Sequence, residues 1–211
     1  MAADTIHHRG ILGSKYSSAE LGSELLRKSI HLLIALVPSL AALDRSHTIL
    51  LLMTGVLFYT WAEGMRFLGF KPPLISSVVA AVSRKREQGQ FALAPVTLGL
   101  GALLTLLLFP PPVAAAAIYA LAFGDSASVI IGKFLGRLRP AFLSGKSVEG
   151  ILACFFAASL GGYLVFHDWS RALAVGFAAL LVDVFPIGAY DNLLMPLAAG
   201  LAALLLGTSA Y

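Results

Sequence analysis

The sequence predicts an all-α, polytopic membrane protein of about seven transmembrane helices, with its amino terminus in the cytoplasm. Three observations carry that prediction. Of the 211 residues, 58% are hydrophobic and only 12% charged, where a soluble domain carries roughly 25% charged residues. Mean hydropathy is +0.86, and a single soluble core of this length cannot hide so much apolar surface. Apolar runs close to the ~20 residues that cross a bilayer recur along the chain. They cover residues 25–43, 49–65, 91–109, 112–134, 148–166, 172–186 and 193–206. With seven spans, 13 of the 15 Lys and Arg fall on one side and 2 on the other. The positive-inside rule assigns the richer side to the cytoplasm.

Residues 1–23 lack the central apolar block of a cleavable signal and are expected to form a cytoplasmic arm bearing His7 and His8. Residues 24–211 then form one transmembrane domain. The first span opens with Glu24, Arg27, Lys28 and His31, which share one helical face. Arg27 and Lys28 suit an interfacial anchor. His31 lies a turn deeper, so the face reads equally as an anchor or a site. The second span carries Tyr59, Glu63 and Arg66 on one face. Glu63 and Arg66 either close the helix as an i,i+3 ion pair or belong to a site. Residues 74–82 are too short to span and are expected at the interface. Arg84-Lys85-Arg86-Glu87 follows, a basic run that satisfies the positive-inside rule and offers Glu87 as a candidate ligand.

The fourth span departs most from hydrocarbon. Asp125 stands inside an apolar run, where a carboxylate costs roughly 2.5–3.5 kcal/mol on insertion scales and is a functional hypothesis by default. Lys133, Arg137 and Arg139 follow, then a Gly145-Lys146-Ser147 turn, and Glu149 as the next apolar run begins. A Walker A loop would need glycine where Pro140 stands, so a P-loop is excluded. A Gly/Ser turn that opens a helix still offers backbone amides and a positive dipole end to phosphate. Asp125 and Glu149 are candidate Mg²⁺ ligands, because magnesium takes oxygen donors and bridges substrate phosphates. Gly132 and Gly136, spaced as G-x-x-x-G, allow a close helix approach.

Cys154 is the one cysteine, which rules out an intrachain disulfide and a cysteine metal cluster. It lies among Phe155, Phe156 and Ala157 and reads as a packed thiol. Pro186 and Gly188 break the chain between the sixth and seventh spans, near Asp183 and Tyr190-Asp191-Asn192. Asn192 suits a helix cap, and Asp191 is a second metal or nucleotide candidate.

ELLRKSIH (24–31), AEGMR (62–66), GDSASVIIGKFLGR (124–137), GKSVEG (145–150) and DNLLMPLAAG (191–200), in this order, resemble the dolichol, polyprenol and phytol kinase family. That family includes the CTP-dependent diacylglycerol kinases. The likeness extends over about residues 24–205. It departs at Asp183, near which the family usually has Glu, and at Tyr190, where an acid usually precedes the Asp-Asn pair. The resemblance implies a phosphotransferase in the bilayer that moves the γ-phosphate of CTP to the hydroxyl of a membrane lipid alcohol, with Mg²⁺. It implies catalytic roles for Asp125, Lys146, Glu63, His31, Arg27 and Lys28, and nucleotide contacts from Lys133, Lys146, Ser147, Glu149 and Arg66; Gly145, Glu87 and Asn192 join the nucleotide candidates by their own positions in the chain. The implied metal ligands are Asp125, Glu149 and Asp191, and the base is one of Asp125, Glu63 and His31.

Two other readings stay open. A phosphatidate cytidylyltransferase would attack the α-phosphate, but the chain lacks the S-P-K-K-T-W-E-G form and later K-D signature of that type. A small transporter would explain Gly-rich, Pro-interrupted helices, although the charges gather at one face rather than at the midplane. No nucleic-acid partner is expected.

Overall fold

The computed structural model describes residues 18–70, 90–143 and 145–208. Among them the regular structure is entirely helical. The expected interfacial stretch 74–82, the run from Arg84 to Glu87 and residues 1–17 of the expected arm lie outside the described residues.

Helix α1 (Ser18–Leu33) continues through a 3-10 turn, Ile34–Leu36, into α2 (Val37–Leu43). Pro38 stands in the first turn of α2, where its missing N–H costs nothing. One extended residue, Asp44, separates α2 from α3 (Arg45–Phe67) and caps it: the carboxylate accepts from the His47 amide at 2.9 Å. Helix α4 (Leu93–Leu108) ends before Pro110, and α5 (Pro111–Tyr119) begins with the proline pair that follows. A six-residue π turn, Ala120–Asp125, joins α5 to α6 (Ser126–Phe134). Helices α7 (Val148–Phe166) and α8 (Trp169–Val184) are capped by Ser147 and Asp168. A 3-10 turn, Gly188–Tyr190, leads into α9 (Asp191–Thr208).

Among the described residues, five helical segments are long and apolar enough to cross a membrane: Gly22–Leu43, Arg45–Phe67, Pro111–Phe134, Val148–Phe166 and Gly188–Gly207. The other two expected spans appear as α4 and α8, of 16 residues each. At 1.5 Å per residue they reach about 24 Å, short of a hydrocarbon core of about 30 Å.

The segment Pro111–Phe134 is the most buried of the five and forms the middle of the bundle. Around it the core is rich in alanine, with Ala102, Ala116, Ala117, Ala158, Ala179 and Ala199 all buried. Small side chains let helices approach closely, which is how apolar helices gain packing contacts where lipid removes the hydrophobic drive. Helix α3 sits outside: Leu50, Leu51, Leu57, Phe58 and Trp61 are exposed along it, as suits a face turned to lipid.

Candidate functional site

The π turn sets the first half of the site. A π turn widens a helix locally and redirects the side chains it carries, and here its last residue is Asp125. Its carboxylate accepts a hydrogen bond from Lys28 Nζ on α1. His31 Nδ1 lies 2.9 Å from the same oxygen, a close approach rather than an aligned hydrogen bond. Lys28 is 2% exposed and His31 is also buried. The face read from the i, i+3 spacing on the first helix is therefore the face that meets Asp125. Beyond its own continuation, α1 touches the bundle chiefly at the π turn and α6, so this ion pair is its principal polar tie. Glu24 adds a second link, 3.6 Å from Lys133 of α6, and stands 3.8 Å from Arg27 on its own helix.

The second half is built where α7 begins. Ser147 accepts from the Gly150 amide at 3.1 Å and caps the helix. Lys146 Nζ donates to the main-chain oxygen of Asp183 at 2.5 Å and to its Oδ1 at 2.6 Å. Ser128 donates to the other carboxylate oxygen at 2.7 Å, so a carboxylate only 2% exposed is fully partnered. The connecting loop lies close on α6. A Cβ on Gly136 would stand 2.2 Å from the Gly132 carbonyl oxygen and 2.6 Å from Ser147 Cβ. The G-x-x-x-G pair thus serves close packing, against the start of α7.

Asp191 accepts from the Ile187 amide at 2.6 Å and forms no ion pair among the described residues. Asn192, expected as a cap, instead donates to the Ala94 carbonyl at 3.1 Å and lies 3.3 Å from Thr97 Oγ1, tying α9 to α4.

Lys28, Asp125, Ser128, Lys146, Asp191 and Asn192 share one cavity of about 440 Å³, within the usual range of roughly 300–1,000 Å³ for a small-molecule site. Five basic side chains line it, Arg27, Lys28, Lys133, Arg139 and Lys146, against two carboxylates, Asp125 and Asp191. Ser147 and Asn192 complete the expected residues on its wall. Five cations on one wall suit a polyanion, with Lys28 resting on Asp125, Lys133 and Arg27 beside Glu24, and Lys146 on Asp183.

Several expected residues stand elsewhere. Glu63 is 0% exposed and its oxygens are taken by Arg66, at 2.7 Å twice, and by the Ala92 amide at 2.7 Å. Arg66 also donates to the Gln90 carbonyl at 2.8 Å. The pair fastens the chain that enters α4 and is not part of the cavity wall. Glu149 accepts from the amides of Arg137 and Leu138 at 2.9 and 3.1 Å, holding the loop rather than facing the cavity. Gly145 is a turn residue with φ +86°, where glycine is favoured. His31 stands behind Asp125, and Glu87 lies outside the described residues. The expected metal set of Asp125, Glu149 and Asp191 is accordingly not assembled. Among the described residues no three His, Cys, Asp or Glu side chains are grouped to hold a metal ion by themselves.

Three wall or network residues were not on the candidate list: Asp183, Ser128 and Arg139. Asp183 had a visible signal, a lone acid in an apolar helix. Arg139 donates to the Gly145 carbonyl at 2.6 Å and to that of Gly132.

An uncharacterised protein of Methanocaldococcus jannaschii, MJ1137, is 27% identical to this chain over 179 residues, covering 82% of this chain and 88% of its own length. No family model and no solved structure matches the chain.

Proposed function

We propose that this protein is a lipid kinase that transfers the γ-phosphate of CTP to the hydroxyl of a membrane lipid alcohol. The observation that carries the reading is the one cavity into which α1, the middle helix, the start of α7 and the start of α9 send five cations and two carboxylates. Phosphoryl transfer asks mainly for positioning and charge neutralisation. Lys146, Lys133 and Arg139 would neutralise the triphosphate, beside the capped amino end of α7 and its positive dipole. CTP as donor rests on the resemblance of residues 24–31, 124–137, 145–150 and 191–200 to the polyprenol kinase family.

Of the three candidate bases only Asp125 is part of the cavity wall. In this reading the lipid oxygen bonds to the γ-phosphorus as the bond from that phosphorus to the β-phosphate oxygen breaks. CDP leaves with that electron pair, and the hydroxyl proton passes to Asp125. Lys28 and His31 hold the carboxylate in place.

Magnesium commonly takes one or two carboxylates, water and substrate phosphates. The residues fit it, since Asp191 borders the cavity with no cationic partner among the described residues. Asp191 would hold Mg²⁺, which supplies charge neutralisation at the β- and γ-phosphates.

We also propose seven crossings, with α4 and α8 spanning by local bilayer thinning. The amino terminus and the cavity then face the cytoplasm, the side rich in Lys and Arg.

The test is incubation of the purified protein with a lipid alcohol and CTP labelled at either the α- or the γ-phosphate. Label from the γ position in the lipid is the expected result. Label from the α position would overturn the proposal in favour of a cytidylyltransferase. Solute flux without nucleotide turnover would favour a transporter.

A further inference from the structure

We propose that the turn after α6, residues 135–138, docks on the anionic phospholipid headgroups of the surrounding bilayer, and that this contact steadies the end of the cavity that carries Lys146. Neither statement rests on the kinase reading, because no nucleotide enters it.

Arg137 is a cation that the cavity leaves unused. Lys133 and Arg139, on either side of it in the chain, line the cavity, and Arg137 does not. Its side chain is exposed and has no carboxylate partner among the described residues. Glu149 meets this turn through the main-chain amides of Arg137 and Leu138, not through the guanidinium. Leu135 and Leu138 flank the arginine and are 62% and 63% exposed. Two large apolar side chains and one cation within four residues suit neither water nor hydrocarbon alone. At a headgroup boundary both needs are met, with the leucines against acyl chains and the guanidinium on phosphate.

The position agrees. The segment Pro111–Phe134, which ends just before the turn, has 24 residues. At 1.5 Å per residue it reaches about 36 Å, against a hydrocarbon core of about 30 Å, so its end stands in the headgroup layer. Charge selects the lipid. A zwitterionic headgroup carries its own ammonium beside the phosphate, whereas an anionic one leaves that negative charge for Arg137. An acidic protein would have to cover Leu135 and Leu138 as well, which the bilayer does already.

The turn is bonded into the start of α7. The Leu138 carbonyl accepts from the Val148 amide at 2.9 Å, and Glu149 of α7 gathers the amides of Arg137 and Leu138. Lys146 and Ser147, both on the cavity wall, immediately precede Val148. A turn held on the bilayer therefore holds that wall.

The experiment reconstitutes the full-length protein, without nucleotide, in vesicles with the same lipids in both leaflets, so orientation does not enter. Trp61 and Trp169 are replaced by phenylalanine, and Leu138→Trp supplies the fluorophore. At equal mole fraction, dibrominated phosphatidylglycerol should quench it as if enriched roughly fivefold over dibrominated phosphatidylcholine, the weight of one cation near an anionic surface. Arg137→Gln should abolish that preference and Arg137→Lys should keep most of it, which separates lost charge from misfolding. Hydrogen exchange in peptides covering 137–150 should be slower in phosphatidylglycerol than in phosphatidylcholine vesicles, and Arg137→Gln should remove the difference. Equal quenching by the two lipids with Arg137 in place, or a preference that survives Arg137→Gln, would overturn the anionic contact. No quenching by either lipid would also overturn it, placing the turn in water and leaving Arg137 to an acidic protein. Anionic quenching with unchanged exchange would keep the contact and refute its hold on the Lys146 end. If the same vesicles transfer no γ-phosphate, the kinase reading fails while the lipid result stands.

Discussion

Lys146 grips Asp183 twice, through the carboxylate at 2.6 Å and through the main-chain oxygen at 2.5 Å. The aspartate thereby fixes an ammonium at the cavity wall. Asp183→Asn preserves shape but removes the charge. We predict a KM for CTP raised by roughly tenfold with kcat changed less, because a positioning contact to bound phosphate is lost in ground and transition state alike. Asp183→Ala should add a thermal-stability loss of about 2 kcal/mol or more by stranding Ser128 and Lys146. Unaltered CTP affinity in both variants would remove Asp183 from the site.

For Asp125 the expected effect falls on chemistry. Asp125→Asn should reduce γ-phosphate transfer by roughly 10²–10⁴-fold, the usual contribution of a positioned base, while CTP still binds. Lys28→Met alone should destabilise the fold by about 3–5 kcal/mol, since it leaves a buried carboxylate uncompensated. The double variant should be more stable than the two single losses added together. Thermal unfolding in detergent, run beside the label-transfer assay, reads both. Full turnover in Asp125→Asn would refute its role as base.

Glu63 is predicted to matter for stability only. Glu63→Ala leaves the Arg66 guanidinium and the Ala92 amide without their acceptor, at a cost of about 3–5 kcal/mol. The midpoint of unfolding should fall, yet kcat per folded molecule should match the unaltered protein. A selective loss of kcat at normal stability would return Glu63 to the list of catalytic groups.

Glycine substitutions separate close packing from mere helix propensity. Gly136→Ala drives a methyl to 2.2 Å from the Gly132 oxygen and must shift the loop that carries Lys146. It should weaken both stability and nucleotide binding. Gly64→Ala, with nothing within 4 Å of the added carbon, should be neutral or stabilise α3 by up to about 1 kcal/mol. Equal effects from the two substitutions, measured by thermal unfolding, would contradict the close approach at Gly136.

What could be read in advance followed the periodicities. Lys28 and His31 share a helical face, and an acid inside an apolar run stands out, so Asp125 and its partners were legible before their geometry was. Lys146 and Asp183 are 37 positions apart, and no spacing rule links them. Glu63, legible as an i,i+3 ion pair with Arg66 or as part of a site, is that pair, whereas the backbone amides that Glu63 and Glu149 accept were not legible; an amide leaves no mark on a sequence. Span lengths slipped for a similar reason. Helix α8 starts at Trp169, earlier than its apolar run at 172, because Asp168 caps it through the Ser170 amide at 2.8 Å, and it stops at Val184 ahead of Pro186.

The bond between Lys28 and Asp125 joins residues 97 positions apart, and that separation acquires a meaning during synthesis. At about 5–20 residues per second the ribosome needs roughly 5–20 s to make the intervening chain. Throughout that interval Lys28 and His31 lack the Asp125 carboxylate that faces them in the folded protein. A nascent chain arrested before residue 125 should therefore integrate its leading helix poorly, and completion of the middle helix is the event that seats it.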